Sequence, residues 1–184
     1  MKPFLFLLLV LGSLGMAVEE PKFEVLEKFG DVEIRQYGAI VIAETEVEGD
    51  FGEAGNEGFR RAAGYIFGGN QQNQKISMTA PVLQEEKDGK KRVALVMPEE
   101  KKLPQLPSPN DSRVILKEVA SRKMAVLKYS GTWSEERYRE KVNELKEVLK
   151  GKNYKIKGEP ILARYNPPWI PWFLRRNEVL IELE

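Results

Sequence analysis

Histidine and cysteine are both missing from this chain of 184 residues. Without them the usual zinc sites, iron–sulfur clusters, cysteine nucleophiles and histidine-based triads are excluded. Disulfides are excluded too, as is lipid attachment at a cysteine. Charge of one sign is also scarce, because 29 basic residues face 28 acidic ones for a net of +1. Phosphate recognition needs clustered cations, so nucleic acid is not the expected partner. Most of the charge is interleaved, as in KEVLKGKNYKIKGE, and reads as a solvated face. With these routes closed, catalysis would fall to carboxylates, Tyr, Lys, Ser or Thr, and a bound iron could take no imidazole or thiolate from this chain.

One hydrophobic run stands out, at the N-terminus. MKPFLFLLLVLGSLGMA carries one lysine, an apolar stretch from Phe4 to Leu11, and small residues at Gly15 and Ala17. That pattern reads as a secretory signal peptide over 1–17, cut after Ala17, with the mature domain over 18–184. The apolar stretch is short for a bilayer span, although retention as an anchor stays open. The expected location is therefore outside the cytoplasm, periplasmic or secreted.

The mature chain alternates between two periodicities. FEVLEKF and VEIRQY flank Gly30-Asp31 as two strands, and AIVIAETEVEG continues as a third. Asp50 with Glu53 three residues on signals a helix start. Ala54, Gly58, Phe59, Ala62, Tyr65 and Ile66 then fall at helical spacing up to Gly68-Gly69-Asn70. KISMTAPVL alternates as a strand and RVALVMP is its partner across Asp88-Gly89. Pro81 suggests an edge or bulge there. After a proline-bearing connector, RVILKEV and KMAVLKYSG read as strands. Thr132 and Glu135 repeat the cap, and Tyr138, Val142, Leu145 and Leu149 form a helix stripe. YKIKGEPILARY and NEVLIEL supply further strands. Gly49 and Gly131 stand 82 residues apart, as do Gly69 and Gly151. The predicted fold is α+β, with two strand-strand-helix-strand-strand units related by a pseudo-twofold. They would form a distorted β-barrel or curved sheet with two helices and share one core.

Two segments carry the functional signal. In the first helix Gly55, Gly58 and Gly64 each cost about 1 kcal/mol relative to alanine. They thin the helix either for close packing on the sheet or so that a flat macrocycle can lie against it. Near the C-terminus YNPPWIPWFLRRNE combines stiffening prolines with Trp169, Trp172 and Phe173, which suit stacking on a conjugated ring. Arg175 and Arg176 can fork onto carboxylates at the ring's edge. A structural reading stands beside this one: one loop tryptophan folds into the core, and Arg175 or Arg176 pairs with Glu178. Contact with a membrane surface or a protein partner through the tryptophans also stays open. Met78, Met97, Met124, Tyr65 and Tyr165 are the conventional iron ligands the chain offers.

NEGFRRAAGYIFGGN, KISMTAPV, VALVMP and YNPPWIPWFLRRNEVLI together closely resemble the SOUL haem-binding family, from Lys22 to Leu183. The resemblance implies a duplicated, curved-sheet fold and binding of haem or a related tetrapyrrole, without chemistry by the protein. It also implies a groove between the Gly52–Phe67 helix and the Pro167–Arg176 loop, and basic residues along the helix, here Arg60 and Arg61, that meet propionates. The expected contact residues are Gly58, Phe59, Arg61, Ala62, Tyr65 and Ile66 on the helix, with Trp169, Trp172, Phe173, Arg175 and Arg176 on the loop. The binding expected lacks histidine or cysteine ligation of the iron. The alternative of a different class is a hydrolase that uses Glu57 and Tyr65, eight residues apart on the same helix, in one groove.

Overall fold

The computed structural model describes residues 18–184, so the expected leader at 1–17 lies outside the described residues. Nine strands and two helices follow one another as β1 Phe23–Phe29, β2 Val32–Tyr37, β3 Ile40–Val47, α1 Phe51–Ile66, β4 Val82–Lys87, β5 Lys90–Val96, β6 Val114–Val119, β7 Arg122–Tyr129, α2 Glu135–Gly151, β8 Ile161–Arg164 and β9 Asn177–Glu182. All eight pairings are antiparallel, in the order β1-β2-β7-β9-β8-β4-β5-β3-β6. The sheet curves but does not close, and β1 and β6 are its edges. Of the two sheet forms expected, the barrel is thus set aside.

The duplication is explicit in this order. Exchanging β2 with β6, β3 with β7, β4 with β8 and β5 with β9 reverses the eight-strand series onto itself. Register repeats as well: Val32 faces Leu127, and the positions 82 residues away, Val114 and Thr45, face each other in the same way. The halves are interlocked, because β2 is paired to β7 of the second half and β6 to β3 of the first. The pseudo-twofold passes between β4 and β8, where Val82 faces Arg164.

Local chemistry explains most boundaries. Asp50 caps α1 by accepting the Glu53 amide at 2.8 Å. The β4–β5 hairpin turns through Asp88 and Gly89, both at positive φ (54° and 72°), which suits their small or side-chain-free backbones. Buried Asn70 closes the C-terminal end of α1, donating to the carbonyls of Tyr65 and Gln74 at 3.1 and 2.7 Å. Two expectations are corrected. KISMTAP is not a strand: Lys75 and Thr79 make only isolated bridges, and β4 begins at Val82. Thr79 is buried, and its hydroxyl donates to the Val96 carbonyl at 2.6 Å. The cap of α2 is Ser134, which accepts from the Arg137 amide at 3.3 Å, and Thr132 lies outside the helix.

Both helices cover one face of the sheet. Val142, Leu145 and Leu149 of α2 pack with Val32, Ile34, Ala125, Leu127 and Val179. Ala62, Ala63, Tyr65 and Ile66 of α1 pack with Val41, Ala43, Leu95 and Val114. On the far face Met124, Val126, Ile161 and Leu180 form a further cluster around Tyr37.

Candidate functional site

The glycines of α1 decide how that helix sits. A Cβ on Gly58 would stand 2.4 Å from Cβ of Val93, and one on Gly55 would stand 2.5 Å from Oε1 of Gln84. Both are therefore packing positions that let the helix axis approach the sheet. Gly64 is different, exposed and with nothing within 4 Å of a Cβ. Close seating leaves no slot between α1 and the sheet. Gly58, Ala62, Tyr65 and Ile66, expected to meet a ligand, face the sheet and are buried. Phe59 is exposed and Arg61 half-buried on the remaining surface, with Phe67 exposed at the end of the same face. Arg60 and Arg61 both bind Glu57, at 2.7 and 2.8 Å, and Arg61 also donates to the Glu46 carbonyl.

Separation of Glu57 from Tyr65 follows from the same geometry. Tyr65 is 2 % exposed and its hydroxyl donates to the Pro107 carbonyl at 3.0 Å. Burial pushes that hydroxyl up to about 12. Glu57 sits half-exposed among arginines on another side of the helix, so the two do not address one groove.

The loop after β8 is stiff and its apolar groups face outward. Trp169 is 79 % exposed and Trp172 57 %, and Phe173 and Leu174 are also exposed, so neither loop tryptophan folds into the core. Trp172 and Phe173 meet edge to face with centroids 5.3 Å apart. Arg175 fastens the loop internally, donating from Nε to the Ile170 carbonyl at 2.7 Å and from Nη2 to the Pro168 carbonyl at 2.6 Å. Asn166 accepts the Arg176 amide at 2.6 Å. Because guanidinium and amide side chains satisfy the loop's backbone, its indoles are not needed as anchors.

Arg176 is not free. It bridges Glu20 at 3.0 Å and Glu178 at 3.1 Å and lies over the Tyr165 ring, 3.6 Å from its centroid. Glu178 has no exposed surface, and it also accepts from Arg35 at 2.9 Å and from the Tyr165 hydroxyl at 2.7 Å. Burial, then the charge of Glu178, pushes the Tyr165 hydroxyl far up. Burial alone would lower Arg35, yet its hydrogen bond to Glu178 and that group's charge carry it upward. This network ties the β9 start to β2 and to the N-terminal residues of the described chain.

Trp133 and Arg164 join the loop to α1 and were not singled out by the sequence pattern. Trp133 donates from Nε1 to Oδ1 of buried Asn177 at 2.8 Å, and Asn177 donates to the Gly131 carbonyl. The Gly131 amide in turn donates to the Trp172 carbonyl at 3.1 Å. Arg175 lies 4.2 Å and Arg164 5.3 Å from the centroid of the Trp133 ring. Arg164 reaches on to α1, donating to the Gly55 carbonyl at 3.2 Å. Gly55 precedes Phe59 by one helical turn, so the path runs from loop through Trp133 and Arg164 to the helix surface. The pattern that would have pointed here is the 82-residue repeat, which pairs Trp133 with Phe51.

Of the other candidate iron ligands, Met97 and Met124 are buried in separate clusters and Met78 is half-buried against the first. A broad depression lies elsewhere, on the sheet face away from the helices. It has a volume of about 660 Å³, a floor including Ile42, Leu83, Ala94 and Ile161, and a charged rim. No helix among the described residues is long and apolar enough to cross a membrane.

The sequence profile of the SOUL heme-binding protein family matches residues 18–182. Heme-binding protein 2 of Mus musculus is 29% identical over 192 aligned positions, which cover 93% of this chain and 93% of that one. Heme-binding protein 2 of Homo sapiens is 30% identical over 179 positions, covering 90% of this chain and 86% of that one. Among solved structures, the C-terminal domain of EcmrR superposes with a TM-score of 0.66 at 9% identity, covering 83% of this chain and 96% of that one. A hydrolase from Listeria innocua superposes with a TM-score of 0.61 at 11% identity, covering 84% and 92%. At those identities the two structures share the fold alone.

Proposed function

The chain belongs to the SOUL heme-binding protein family, and on that footing we propose that it is an exported, non-enzymatic binding protein for haem or a related tetrapyrrole. The ligand lies on the surface shared by the outer side of α1 and the Trp169–Leu174 loop, with the macrocycle against Trp172 and Phe173. One observation carries this reading: exposed indoles stand on a loop fastened by Arg175, a guanidinium with no carboxylate partner. Among the described residues Arg164 and Arg175 are the two arginines without an acidic group in ion-pair reach. An amphipathic ring with acidic edge groups fits that combination. The names of the two mammalian relatives support the ligand class.

Ring burial supplies most of the affinity. About 400 Å² of apolar surface removed from water gives on the order of 10 kcal/mol gross. Loss of translational and rotational freedom removes a large part, which leaves micromolar binding. Haem, when bound, brings an iron centre, and this chain has no imidazole or thiolate to offer it. Its residues bind, orient and shield the ring, and no general base is assembled, since Glu57 is held by arginines and Tyr65 faces the core.

Titrating the purified protein with hemin should give a saturable shift of the Soret band at micromolar concentration, weakened several-fold in Trp172→Ala. A linear, unsaturable response would overturn the proposal. Export is supported by the apolar leader, and the mass of protein recovered outside the cytoplasm should start at Val18. Trp172→Ala also separates the second reading, contact with a membrane surface: liposome co-sedimentation lost in this variant, with hemin binding intact, would favour that reading.

A further inference from the structure

Arg164 is an uncommon kind of arginine. It sits on β8 in register with Val82 and with Asn177 of β9, and Asn177 is in register with Tyr129 of β7. In antiparallel strands such a row presents its side chains on one face, here the helix face, so Arg164 and Tyr129 flank Asn177 beneath Trp133. The Nε of Arg164 and the hydroxyl of Tyr129 are both buried without a hydrogen-bond partner among the described residues. Asn177, between them, bonds Trp133 and Gly131 and makes no hydrogen bond to either. A buried donor without a partner costs free energy, and a desolvated guanidinium without a counter-charge costs more. Burial lowers Arg164 to about 10. Tyr129 is pushed up to about 12 by burial, with Arg137 and Arg164 the nearby charges acting against it. A second carboxylate-free cation, Arg175, lies over the same indole. Two guanidinium groups without a carboxylate therefore converge on one ring at the seam between α1 and the loop, and the idle Tyr129 hydroxyl belongs to the same register row.

We propose that Arg164, with Tyr129 beside it and Trp133 over it, is a carboxylate subsite that receives an acidic arm of the bound ligand and sets a preference for anionic over esterified or cationic ligands. The proposal rests on the tetrapyrrole reading above and adds which residue reads the ligand's charge. The carboxylate takes the idle Nε–H and the Tyr129 hydroxyl as donors and neutralises a cation that the empty protein leaves bare. Arg175 meets the second arm where a ligand has two. Arg60 and Arg61, the basic residues of the helix, already have Glu57.

Metal-free protoporphyrin IX and its dimethyl ester share one ring and differ only in the two acidic arms. Fluorescence titration of the purified protein with each should show the free acid binding at least about tenfold more tightly at neutral pH, the range of a charge-assisted hydrogen bond. In Arg164→Gln that ratio should fall below about threefold while the ester's affinity is unchanged. Arg164→Lys, which keeps the charge, should keep most of the preference. A merely structural Arg164 would weaken both ligands alike, and that result overturns the subsite. Equal, saturable binding of acid and ester to the unaltered protein overturns it too and leaves tetrapyrrole binding standing. If neither ligand binds, the tetrapyrrole reading falls and takes the subsite with it.

Discussion

Replacing Gly58 by alanine and, separately, Gly64 by alanine should change stability in opposite directions although the two positions share one helix. At Gly58 the added carbon would lie 2.4 Å from Cβ and 2.5 Å from Cγ2 of Val93, a fully buried residue of β5. Carbon atoms rest at about 3.5–4.0 Å, so about 1 Å must be recovered. Rotating Val93 about χ1 does not recover it, because Cβ itself is touched; the helix has to lift. Overpacking of this kind costs about 1–3 kcal/mol. With the obstruction fixed to the backbone we take the upper part of that range, and the gain in helix propensity returns about 1 kcal/mol. The net is a loss of about 1–2 kcal/mol. At Gly64 nothing lies within 4 Å, and only the propensity gain of about 1 kcal/mol remains. For a domain of this size the melting temperature should fall by about 3–6 °C in Gly58→Ala and rise by about 2–4 °C in Gly64→Ala. Urea unfolding with unchanged m-values would confirm that the effects are on stability. If both variants melt higher than the parent, α1 does not rest on β5 through Gly58, and the claim that no slot lies beneath it fails.

Two further outcomes follow from the charged groups. Glu178→Gln leaves Arg35, Arg176 and Tyr165 facing a neutral amide where a buried carboxylate accepted from all three. Urea unfolding should show a loss of about 3 kcal/mol or more, and a loss below about 1 kcal/mol would mean the network contributes little. The preference for free protoporphyrin over its ester should also depend on pH, through Arg164. Burial lowers its folded value to about 10, below that of an exposed arginine, so the unfolded chain holds this proton more tightly than the folded one. The charge therefore opposes folding at neutral pH, and stability from this group returns as pH climbs past about 10. The charged form is the one that binds a carboxylate, so the preference should be flat from about pH 6 to 9 and decline through about 10. Acid and ester titrations in a pH series measure it, and a preference that already vanishes near pH 8 would assign it to another group.

Much of the architecture was legible because hydrophobic period and backbone chemistry agree. Asp50 with Glu53, the Asp88-Gly89 turn and the Val142, Leu145, Leu149 stripe each mark an element the structure contains. The repeat was legible because glycines at positive φ recur: Gly49 at 104° and Gly131 at 133°. KISMTAP misled because alternation also arises in an extended segment whose bonds go to Ile66, Glu19 and, from Thr79, to Val96, with only isolated bridges and no ladder. Thr132 misled because the cap pattern fits two residues early, and the extra length lets Trp133 reach Arg175. The site was harder. Helical spacing selects the apolar stripe of α1, and that stripe is the one the sheet covers, so Gly58, Ala62, Tyr65 and Ile66 turn inward. Phe59, at the margin of that stripe, and Phe67, just past the end of the helix, remain outside. Arg164 gave no signal, since an arginine ending a strand is ordinary until its surroundings are seen to lack an acid.

The internal symmetry of the sheet is not matched by its helices. The outer side of α2 carries a lattice of opposite charges, Glu135 with Arg139, Arg137 with Glu140 and Lys141 with Glu144, whereas α1 ends in bare glycine and phenylalanine. A scaffold with two equivalent positions thus carries charge pairs at one and exposed phenylalanine rings at the other. Each polypeptide should saturate at a single equivalent of tetrapyrrole, with its twin position serving as a counterweight that holds the frame.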